Sequence, residues 1–534
     1  VSPGWVFDHW VWEDDENTEK AVWEMIDGYE KLGIPVGAVV IDSPWATEYN
    51  NFVFNKKQYP DPEGMIRKLH SRGIRVIFWV TAMLNEQNPS GDFEPVTNEI
   101  YKEALGKGFL CNEGKPSKWW KGEGAFLDYT NPHAVEWWHG LMNKVLDMGA
   151  DGWKVDGIDP MYPSGKPCAS GPMTPSKYKD LYYMDMYEHT LTKNPKGVAW
   201  ARAVDLLMTN PKGFAPISHS AVNWVGDEVH DWGGSGFLEA LQDIFDSAKL
   251  GYTVVGSDTA GYHGDMPISK QILLRWAQFS AMCPLFENGG HGAHEPWLFD
   301  DETVRIYRSF VKLHLELKPY LYSMMMKSHL KTGPIIHPSP GKFQYRLGDN
   351  IFVSVLFTPE NSRTVSFPKG RWRDFWSPEK VYEEGRSEDM DFPIDRYPIY
   401  IREGSIIPLY VTDSELGRGD DSFKGLVTLD ITPGADASFS LFEEDKGSVE
   451  ITLKMNGAKN FEISADSGKR GFMLRILSFA PPAKVTSNGV KLKDAAALKN
   501  LGKKEKVYFY DKAAKRLYVN PGKSETLKVS VAYK

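Results

Sequence analysis

Short apolar runs alternate with segments of helical periodicity over residues 1–330 of the chain. Eight of these runs have the length and composition of buried strands. They are GWVFDHWVW (4–12), GAVVIDSPW (37–45), IRVIFWV (74–80), DGWKVDG (151–157), GVAWARAV (197–204), SAVNWVGD (220–227), YTVVGSD (252–258) and CPLFENGG (283–290). Eight strands with intervening helices predict a (β/α)8 barrel, which belongs to the α/β fold class.

Two of the intervening segments carry clear helical signals. In TNPHAVEWWHGLMNKVLDMGA, Asn131 is placed to cap the helix and Pro132 falls in its first turn. In TEKAVWEMIDGYEKLGI, apolar residues recur every three or four positions, which predicts one buried helix face made of Val22, Met25, Ile26, Tyr29 and Leu32.

The pattern changes near residue 335, where short alternating strands separated by Gly, Pro and Asp turns begin. DNIFVSVLF and YPIYIREGSIIPLY are examples. The Gly- and Asp-rich stretch SELGRGDDSFKG (414–425) marks a junction, and lysine-rich strands follow it. We therefore predict a barrel over 1–333, a proximal C-terminal β-sandwich over 334–413 and a distal one over 414–534.

Composition narrows the function classes. The chain has 534 residues and a formal net charge of −9, which argues against a nucleic-acid partner because such a partner requires a clustered positive surface. No apolar run approaches the ~20 residues that span a bilayer, so we expect no membrane partner. Cys111, Cys168 and Cys283 are too few and too scattered for a disulfide framework. A periplasmic or secreted location is favoured over a cytoplasmic one, and an oligomer is possible.

Aromatic residues make up 13% of the chain and include 18 tryptophans. Most of them are expected to fill the core. Tryptophan beside carboxylates is also how sugar sites are built, because the apolar face of a pyranose stacks on an indole ring.

Polar residues stand at the C-terminal ends of the predicted strands. In DGWKVDGIDP (151–160), Lys154 and Asp156 occupy positions where a buried strand should carry valines. Burying isolated charges is costly, so these side chains are expected to face a site that needs them. The C-terminal ends of barrel strands form the catalytic face, and there we place Asp42, Asp156, Arg202, Asp227, Asp258 and Asn288.

The chemistry at this face depends on carboxylates. The chain lacks HExxH, GxSxG, P-loop and GxGxxG motifs, and HGAH (291–294) is a weak metal pair, so we expect no metal and no cofactor. Glycosidic cleavage needs one carboxylate to attack or to activate water and a second to protonate the leaving oxygen. Asp156 suits an ionised nucleophile, because nearby Lys154 lowers a carboxylate's pKa. Asp227 suits a protonated acid, because partial burial favours the neutral form. Helix capping is the alternative role for either aspartate.

The chain resembles glycoside hydrolase family 31, which holds α-glucosidases, α-xylosidases, α-galactosidases and sulfoquinovosidases. The resemblance covers nearly the whole chain, in order. It is carried by IDSPWATEYNNFVFNKKQYPDPEGMIRKLHSRGIRVIFWV, FLDYTNP, GADGWKVDGIDP, AWARAVD, NWVGD, VGSDTAGYHG and RWAQFSAMCPLFENGG.

The resemblance implies the site. It makes Asp156 the nucleophile and Asp227, in the segment that matches the family's HWxGD, the acid/base. Arg202 and Asp42 match residues that contact the sugar, and Asp258 matches the supporting shell. The full predicted substrate-binding set is Asp42, Trp45, Trp79, Trp120, Lys154, Arg202, Trp224, Asp258 and Asn288.

Three departures from the family pattern bear on the substrate. Family members normally carry a β-sandwich before the barrel, whereas this sequence starts at the barrel, so we expect that domain to have been removed or left out. Asn288 in LFENGG replaces the histidine of SRxHG, and Glu287 falls near the arginine. Lys154 replaces the tryptophan of glucosidases, as in the α-xylosidases, and DGID replaces DMNE.

These departures favour an axial 4-hydroxyl sugar, because exchanging histidine for asparagine changes the reach and the donor pattern around the ring hydroxyls. The sequence therefore predicts a retaining, exo-acting α-glycosidase with an α-galactoside as substrate. An α-glucosidase or α-xylosidase is the alternative. A transglycosylase and a sugar-binding homologue without turnover are the remaining rivals.

Overall fold

The computed structural model describes residues 1–89, 91, 97–156, 165–206, 212–330, 333–457, 459–468 and 470–534. These residues form two compact units. The first contains Val1–Ser280 and Leu285–Val304, and the second contains Ala281–Pro284 and Arg305–Lys534. Within the described parts of the chain, every helix is too short or too polar to cross a lipid bilayer.

Thirteen strands are described in the first unit. They are β1 (His9–Val11), β2 (Ala38–Ile41), β3 (Arg75–Val80), β4 (Met83–Gln87), β5 (Ser117–Trp119), β6 (Gly122–Phe126), β7 (Gly152–Val155), β8 (Lys166–Cys168), β9 (Gly171–Met173), β10 (Val198–Arg202), β11 (Val222–Trp224), β12 (Val255–Gly256) and β13 (Phe286–Asn288).

Eight of these strands build a parallel sheet in the order β12-β11-β10-β7-β3-β2-β1-β13. A parallel bridge between Asp258 and Glu287 joins its two edges, which closes the sheet into a barrel and confirms the predicted fold class. All eight predicted strands are present. Each is shorter than its apolar run, because the residues that follow the strand turn out of the sheet towards the face of the barrel where the strands end.

Seven helices connect these strands: α1 (Glu19–Lys31), α2 (Pro62–Ser71), α3 (Glu99–Lys107), α4 (Pro132–Leu146), α5 (Pro175–Lys193), α6 (Phe237–Leu250) and α7 (Lys270–Ser280). The predicted cap of α4 is confirmed, since the Asn131 side chain accepts from the His133 amide. Thr18 caps α1 in the same way. Four of the five predicted apolar residues of α1 are buried, while Leu32 lies at its C-cap and is partly exposed.

Tryptophans fill much of the barrel interior. Trp10 of β1 and Trp12, which follows β1, pack edge-on against Trp200 of β10, with ring centroids 5.6 and 6.4 Å apart. Trp224 of β11 lies 4.9 Å from Trp200. Large side chains of this kind close the floor of a barrel, so a ligand can enter only from its open face.

The described residues of the second unit contain most of α8 (Asp301–Glu316), all of α9 (Lys318–His329) and twenty strands. The first eight strands are β14 (Ile336–Pro338), β15 (Gln344–Leu347), β16 (Ile351–Ser354), β17 (Ser362–Ser366), β18 (Arg371–Asp374), β19 (Val381–Glu383), β20 (Ser387–Asp391) and β21 (Ile399–Arg402). They form a six-stranded sheet, β14-β15-β16-β21-β18-β19, and the pair β17-β20.

Twelve further strands follow: β22 (Ser405–Leu409), β23 (Val427–Thr432), β24 (Ala437–Glu443), β25 (Gly447–Met455), β26 (Asn460–Asp466), β27 (Phe472–Leu477), β28 (Lys484–Ser487), β29 (Val490–Lys491), β30 (Lys493–Asp494), β31 (Val507–Asp511), β32 (Arg516–Asn520) and β33 (Thr526–Ala532). They build two six-stranded sheets. β22 lies before the domain limit predicted between residues 413 and 414, but it pairs with β23, which lies after that limit. The domain limits stay predictions.

A disulfide bond corrects the expectation drawn from the cysteines. Cys111 and Cys168 are bonded across 57 residues of sequence, while Cys283 is buried and free. Spacing alone did not reveal this bond, because the two residues meet only after β6 and β8 have been placed by the fold. Asp128 lies beside it and accepts from the Ala169 amide at 2.7 Å. The disulfide therefore joins β8 to the segment before β5, and the Asp128 contact joins the end of β8 to the region that follows β6.

Replacing both bonded cysteines, Cys111→Ser and Cys168→Ser, should lower the free energy of unfolding by about 2–4 kcal/mol, because the bond restricts the unfolded chain over a long loop. Thermal unfolding with and without dithiothreitol measures this effect. Dithiothreitol should lower the Tm of the unaltered protein and leave that of the double variant unchanged. Equal responses to dithiothreitol in the two proteins would contradict the assignment.

Candidate active site

A cavity of about 450 Å³ opens at the face of the first unit where the barrel strands end. Its floor is the tryptophan-filled barrel interior, and its walls come from residues near the ends of barrel strands and from the segments that follow the strands. The lining residues are Asp14, Asp42, Ser43, Trp79, Trp120, Lys121, Lys154, Asp156, Arg202, Asp227 and Tyr262. The structure thus brings together seven of the eleven residues predicted for the site.

Asp156 lies at the bottom of the cavity, directly after β7. Its backbone amide donates to the Val80 carbonyl at 3.0 Å, which anchors it to β3. The Trp79 indole donates to Oδ2 and Arg202 Nε donates to Oδ1, both at 2.9 Å. Burial by itself would raise the pKa of Asp156, but the charges of Arg202 and Lys154 and the Trp79 hydrogen bond outweigh burial and lower that pKa below its usual value. These contacts favour the ionised form of the Asp156 carboxylate.

Arg202, the last residue of β10, joins the two predicted catalytic aspartates. Its Nη2 donates to both oxygens of Asp227, at 3.0 and 2.9 Å, while its Nε binds Asp156. Its Nη1 donates to Asp205 at 2.6 Å. Burial would lower the pKa of Arg202, but the three carboxylates raise it well above its usual value. One guanidinium thus holds the carboxyl groups of Asp156 and Asp227 near each other.

The two aspartates differ in exposure. The Asp156 side chain is 10% exposed, whereas that of Asp227 is 39% exposed. Asp156 therefore reaches a bound molecule from the barrel floor, and Asp227 reaches it from the solvent side.

Lys154 is buried within β7 and pairs with Asp42, with 2.7 Å between Nζ and Oδ2. Its ammonium lies 3.7 Å from the centroid of the Trp12 ring, a cation–π contact. Burial lowers the pKa of Lys154, but Asp42, Asp258 and Asp156 together raise it above its usual value. The lysine remains charged and balances the carboxylates that surround it.

Asp258 and Glu287 lie behind the cavity wall, at the bridge that closes the barrel. Both side chains are fully buried. Burial and the charge of Glu287 raise the pKa of Asp258 well above its usual value, and burial raises the pKa of Glu287 to about 7. Trp12 Nε1 donates to Glu287 at 3.1 Å. Two adjacent buried carboxylates cannot both ionise at low cost, so the raised pKa values favour a neutral form for at least one of these two carboxyl groups.

Three further predicted residues also lie behind the wall, which corrects the expectation that they touch the sugar. Trp224 has no exposed surface and packs under Arg202, with the guanidinium carbon 4.9 Å from its ring centroid. Trp45 donates to the Trp79 carbonyl at 2.9 Å. Asn288 is 1% exposed, and its amide donates to Tyr29 Oη and to the His294 carbonyl. Each of them positions other parts of the site. Asp258, which was predicted to belong to the substrate-binding set and which the resemblance places in the supporting shell, is fully buried as well.

Sequence reasoning missed Asp14 and Tyr262. The Tyr262 hydroxyl donates to Asp14 Oδ2 at 2.6 Å, and His291 Nε2 lies 3.2 Å from the same oxygen. Burial and the neighbouring Asp42 raise the pKa of Asp14 to about 6. The available signal was the acidic segment WEDDE after the first strand, by the same strand-end argument that identified Asp42. The segment 157–164, which includes most of DGID, lies outside the described residues.

Asp14→Asn should make the stability of the protein less sensitive to pH. An acid with a raised pKa in the folded state binds its proton more tightly than it does in the unfolded chain, so wild type loses stability as the pH rises from about 4 to about 6. We expect the free energy of unfolding of D14N, relative to that of wild type, to rise by on the order of 2 kcal/mol between pH 4.5 and pH 7.5.

Urea unfolding at the two pH values measures this difference. Asp27→Asn, at an exposed position on α1, is the matched control and should behave as wild type. If the free energies of unfolding of D14N and wild type differ by the same amount at both pH values, that result would be inconsistent with the raised pKa of Asp14.

Comparison with known proteins identifies the family. The model described as the glycosyl hydrolases family 31 TIM-barrel domain matches residues 1–324, and that of the family's C-terminal domain matches residues 325–407. An α-xylosidase, XylQ, from Lactiplantibacillus pentosus is 28% identical over 446 residues, covering 76% of this chain and 54% of the relative. Alpha-glucosidase 2 from Bacillus thermoamyloliquefaciens is 26% identical, with 77% of this chain and 54% of the relative covered.

Solved structures with a similar fold are also found. The cycloalternan-forming enzyme from Listeria monocytogenes superimposes with a TM-score of 0.88 at 19% identity, covering all of this chain and 54% of that protein. The chain thus spans about half the length of the curated relatives it matches. Because the barrel model alone matches more than half of its residues, the chain belongs to glycosyl hydrolase family 31.

Proposed function

We propose that the chain is the catalytic part of a retaining, exo-acting α-glycosidase that hydrolyses terminal α-linked sugars. The observation that carries this proposal is the pairing of Asp156 and Asp227 with one guanidinium, that of Arg202. Retaining glycosidases need two carboxyl groups about 5–5.5 Å apart across the scissile bond. Two carboxylates bound to neighbouring nitrogens of one guanidinium lie close together, which supports a pair that acts on the same bond.

In the first step, Asp156 attacks C1 and forms a β-glycosyl-enzyme while Asp227 gives its proton to the departing oxygen. In the second step, Asp227 takes a proton from water, the resulting hydroxide attacks C1, and the α-sugar leaves with Asp156 restored. The low pKa of Asp156 supports its role as nucleophile. Proton donation by Asp227 requires its contact with Arg202 to change when the sugar enters, and the exposure of Asp227 leaves room for that change.

The remaining walls supply recognition of the sugar. Asp14, Asp42 and Lys154 offer acceptors and a donor for hydroxyl groups on one side of the cavity. Trp79 forms a buried aromatic wall, and Trp120, 46% exposed, forms an outer one. A cavity that is closed below by the barrel interior suits a terminal sugar, which supports the exo mode.

The sugar that we propose as substrate differs from the one predicted from the sequence. The expectation of an α-galactoside relied on Asn288, which is buried away from the cavity. The relatives with which the chain aligns over most of its length include α-xylosidases and α-glucosidases. We therefore propose an α-glucoside or an α-xyloside as substrate, and the α-galactoside preference stays a prediction without support from these findings.

A panel of aryl α-glucoside, α-xyloside and α-galactoside distinguishes these substrates. We expect kcat/KM for the glucoside or the xyloside to exceed that for the galactoside by about tenfold or more, since a misplaced hydroxyl leaves buried polar groups unpaired. Turnover of the galactoside alone would reverse the proposal on the sugar while leaving the mechanism intact. Added acceptor sugars show whether transfer competes with hydrolysis, and binding of the glycosides without aglycone release would favour the non-catalytic homologue.

Azide rescue tests the two roles. Asp156→Ala should lose about three orders of magnitude or more in kcat, and azide should restore aglycone release with a β-glycosyl azide as product, because azide takes the nucleophile's place. Asp227→Ala should form the glycosyl-enzyme from an activated substrate, and azide should then yield the α-glycosyl azide. NMR of the products identifies both anomers.

Asp246→Asn is the matched control, since this carboxylate pairs with Lys249 on α6 and should leave kcat unchanged. Near-normal turnover by D156A, or the same anomer from both variants, would exclude the assignment.

The disulfide between Cys111 and Cys168 supports a periplasmic or secreted location, because such bonds persist in oxidising compartments. Mass spectrometry of alkylated, non-reduced protein from its native source tests this proposal. Free, alkylated Cys111 and Cys168 would argue for a reducing compartment.

A further inference from the structure

A second cavity, of about 380 Å³, lies within the second unit and is lined by arginines. It is formed by α8, β18, β21, β27 and β32 and by the segments between them. Arginines outnumber aspartates six to three among its lining residues. The arginines are Arg305, Arg373, Arg396, Arg418, Arg475 and Arg516.

Three of these arginines already have carboxylate partners. Arg418 Nη1 donates to Glu316 at 2.6 Å, and Arg475 Nη1 donates to Asp430 at 2.7 Å. Arg373 pairs with Glu403. These pairs fix the guanidinium groups in place, so the cavity is preorganised around them.

Arg516 differs from these three. Within the described part of the second unit, no carboxylate oxygen lies within salt-bridge distance of it, and Nη1 donates only to the Lys515 carbonyl at 3.2 Å. Its Nε is buried without a hydrogen-bond partner, as is Nε of Arg475. Burial, with Arg475 and Arg418 nearby, lowers the pKa of Arg516 to about 10. A charged group with unpaired buried donors is costly, and an anion in the cavity would remove that cost.

The aromatic residues that line the cavity indicate which kind of molecule the anionic group belongs to. Phe310, Phe375 and Trp376 line the same cavity, with Phe375 and Trp376 ring centroids 4.9 Å apart. Such rings stack on the apolar face of a sugar. The cavity is larger than a single phosphate ion needs, and a phosphate group offers several acceptor oxygens to converging guanidinium groups.

We propose that this cavity binds a sugar-sized molecule that carries a phosphate group, with Arg516 as its principal ligand. The phosphate lies against Arg516 and Arg475, and the sugar ring lies against Phe375 and Trp376. Arg305 and Arg396 are exposed at the rim, where they attract the anion from solution. This site is separate from the proposed glycosidase reaction and does not depend on it.

Isothermal titration of the full chain with glucose 6-phosphate tests the proposal, with glucose and inorganic phosphate as companion probes. Glucose 6-phosphate should bind, inorganic phosphate should compete with it, and glucose should not. Arg516→Gln should weaken binding by about tenfold or more. The affinity of Arg516→Lys for glucose 6-phosphate should lie between those of Arg516→Gln and wild type, because lysine keeps the positive charge but lacks the planar, forked donors of a guanidinium group.

Arg386→Gln is the matched control, since Arg386 is exposed and pairs with Glu388. Thermal unfolding without ligand shows whether each variant is folded. If R516Q does not fold, Arg396→Gln at the exposed rim replaces it and should weaken binding by a smaller factor. Unchanged affinity in the folded arginine variants, equal binding of glucose, or no binding of glucose 6-phosphate at millimolar concentration would overturn the proposal.

Discussion

The site in the first unit depends on two buried cations placed among carboxylates. Arg202 binds Asp156, Asp205 and Asp227, and Lys154 binds Asp42. Without these cations, the buried carboxylates of Asp42, Asp156 and Asp205 could remain charged only at a cost of several kcal/mol each. Because both cations come from strand residues, β10 and β7, the charge balance is built into the barrel and does not depend on loop conformation.

The layer behind the cavity keeps these groups in position. Trp224 packs under Arg202, Trp12 lies beside the Lys154 ammonium, and Trp45 holds the Trp79 carbonyl. Aromatic surfaces suit buried cations because they attract positive charge without adding another titratable group. The high tryptophan content of the chain thus serves both the barrel interior and the cavity wall.

The periodic pattern was enough to predict the eight barrel strands, α1 and α4, because buried strands and amphipathic helices leave direct traces in the order of residues. The position of a polar residue just after a strand placed Asp42, Asp156 and Asp227 at the cavity. The same argument did not place Asn288, which lies within its strand, or Asp258 at the cavity, since both are buried behind its wall. There the direction of a side chain depends on the register and tilt of the strand in the closed barrel.

The sequence by itself determined the order of elements, the barrel, and the chemical type of the site, since these follow from local periodicity and from residues at strand ends. Tertiary structure decided which side chains face the cavity, which cysteines meet, and where arginines from α8, β27 and β32 converge. The physical reason is that such contacts join residues far apart in the chain. Their distances are set by packing of the whole unit, which no local pattern records.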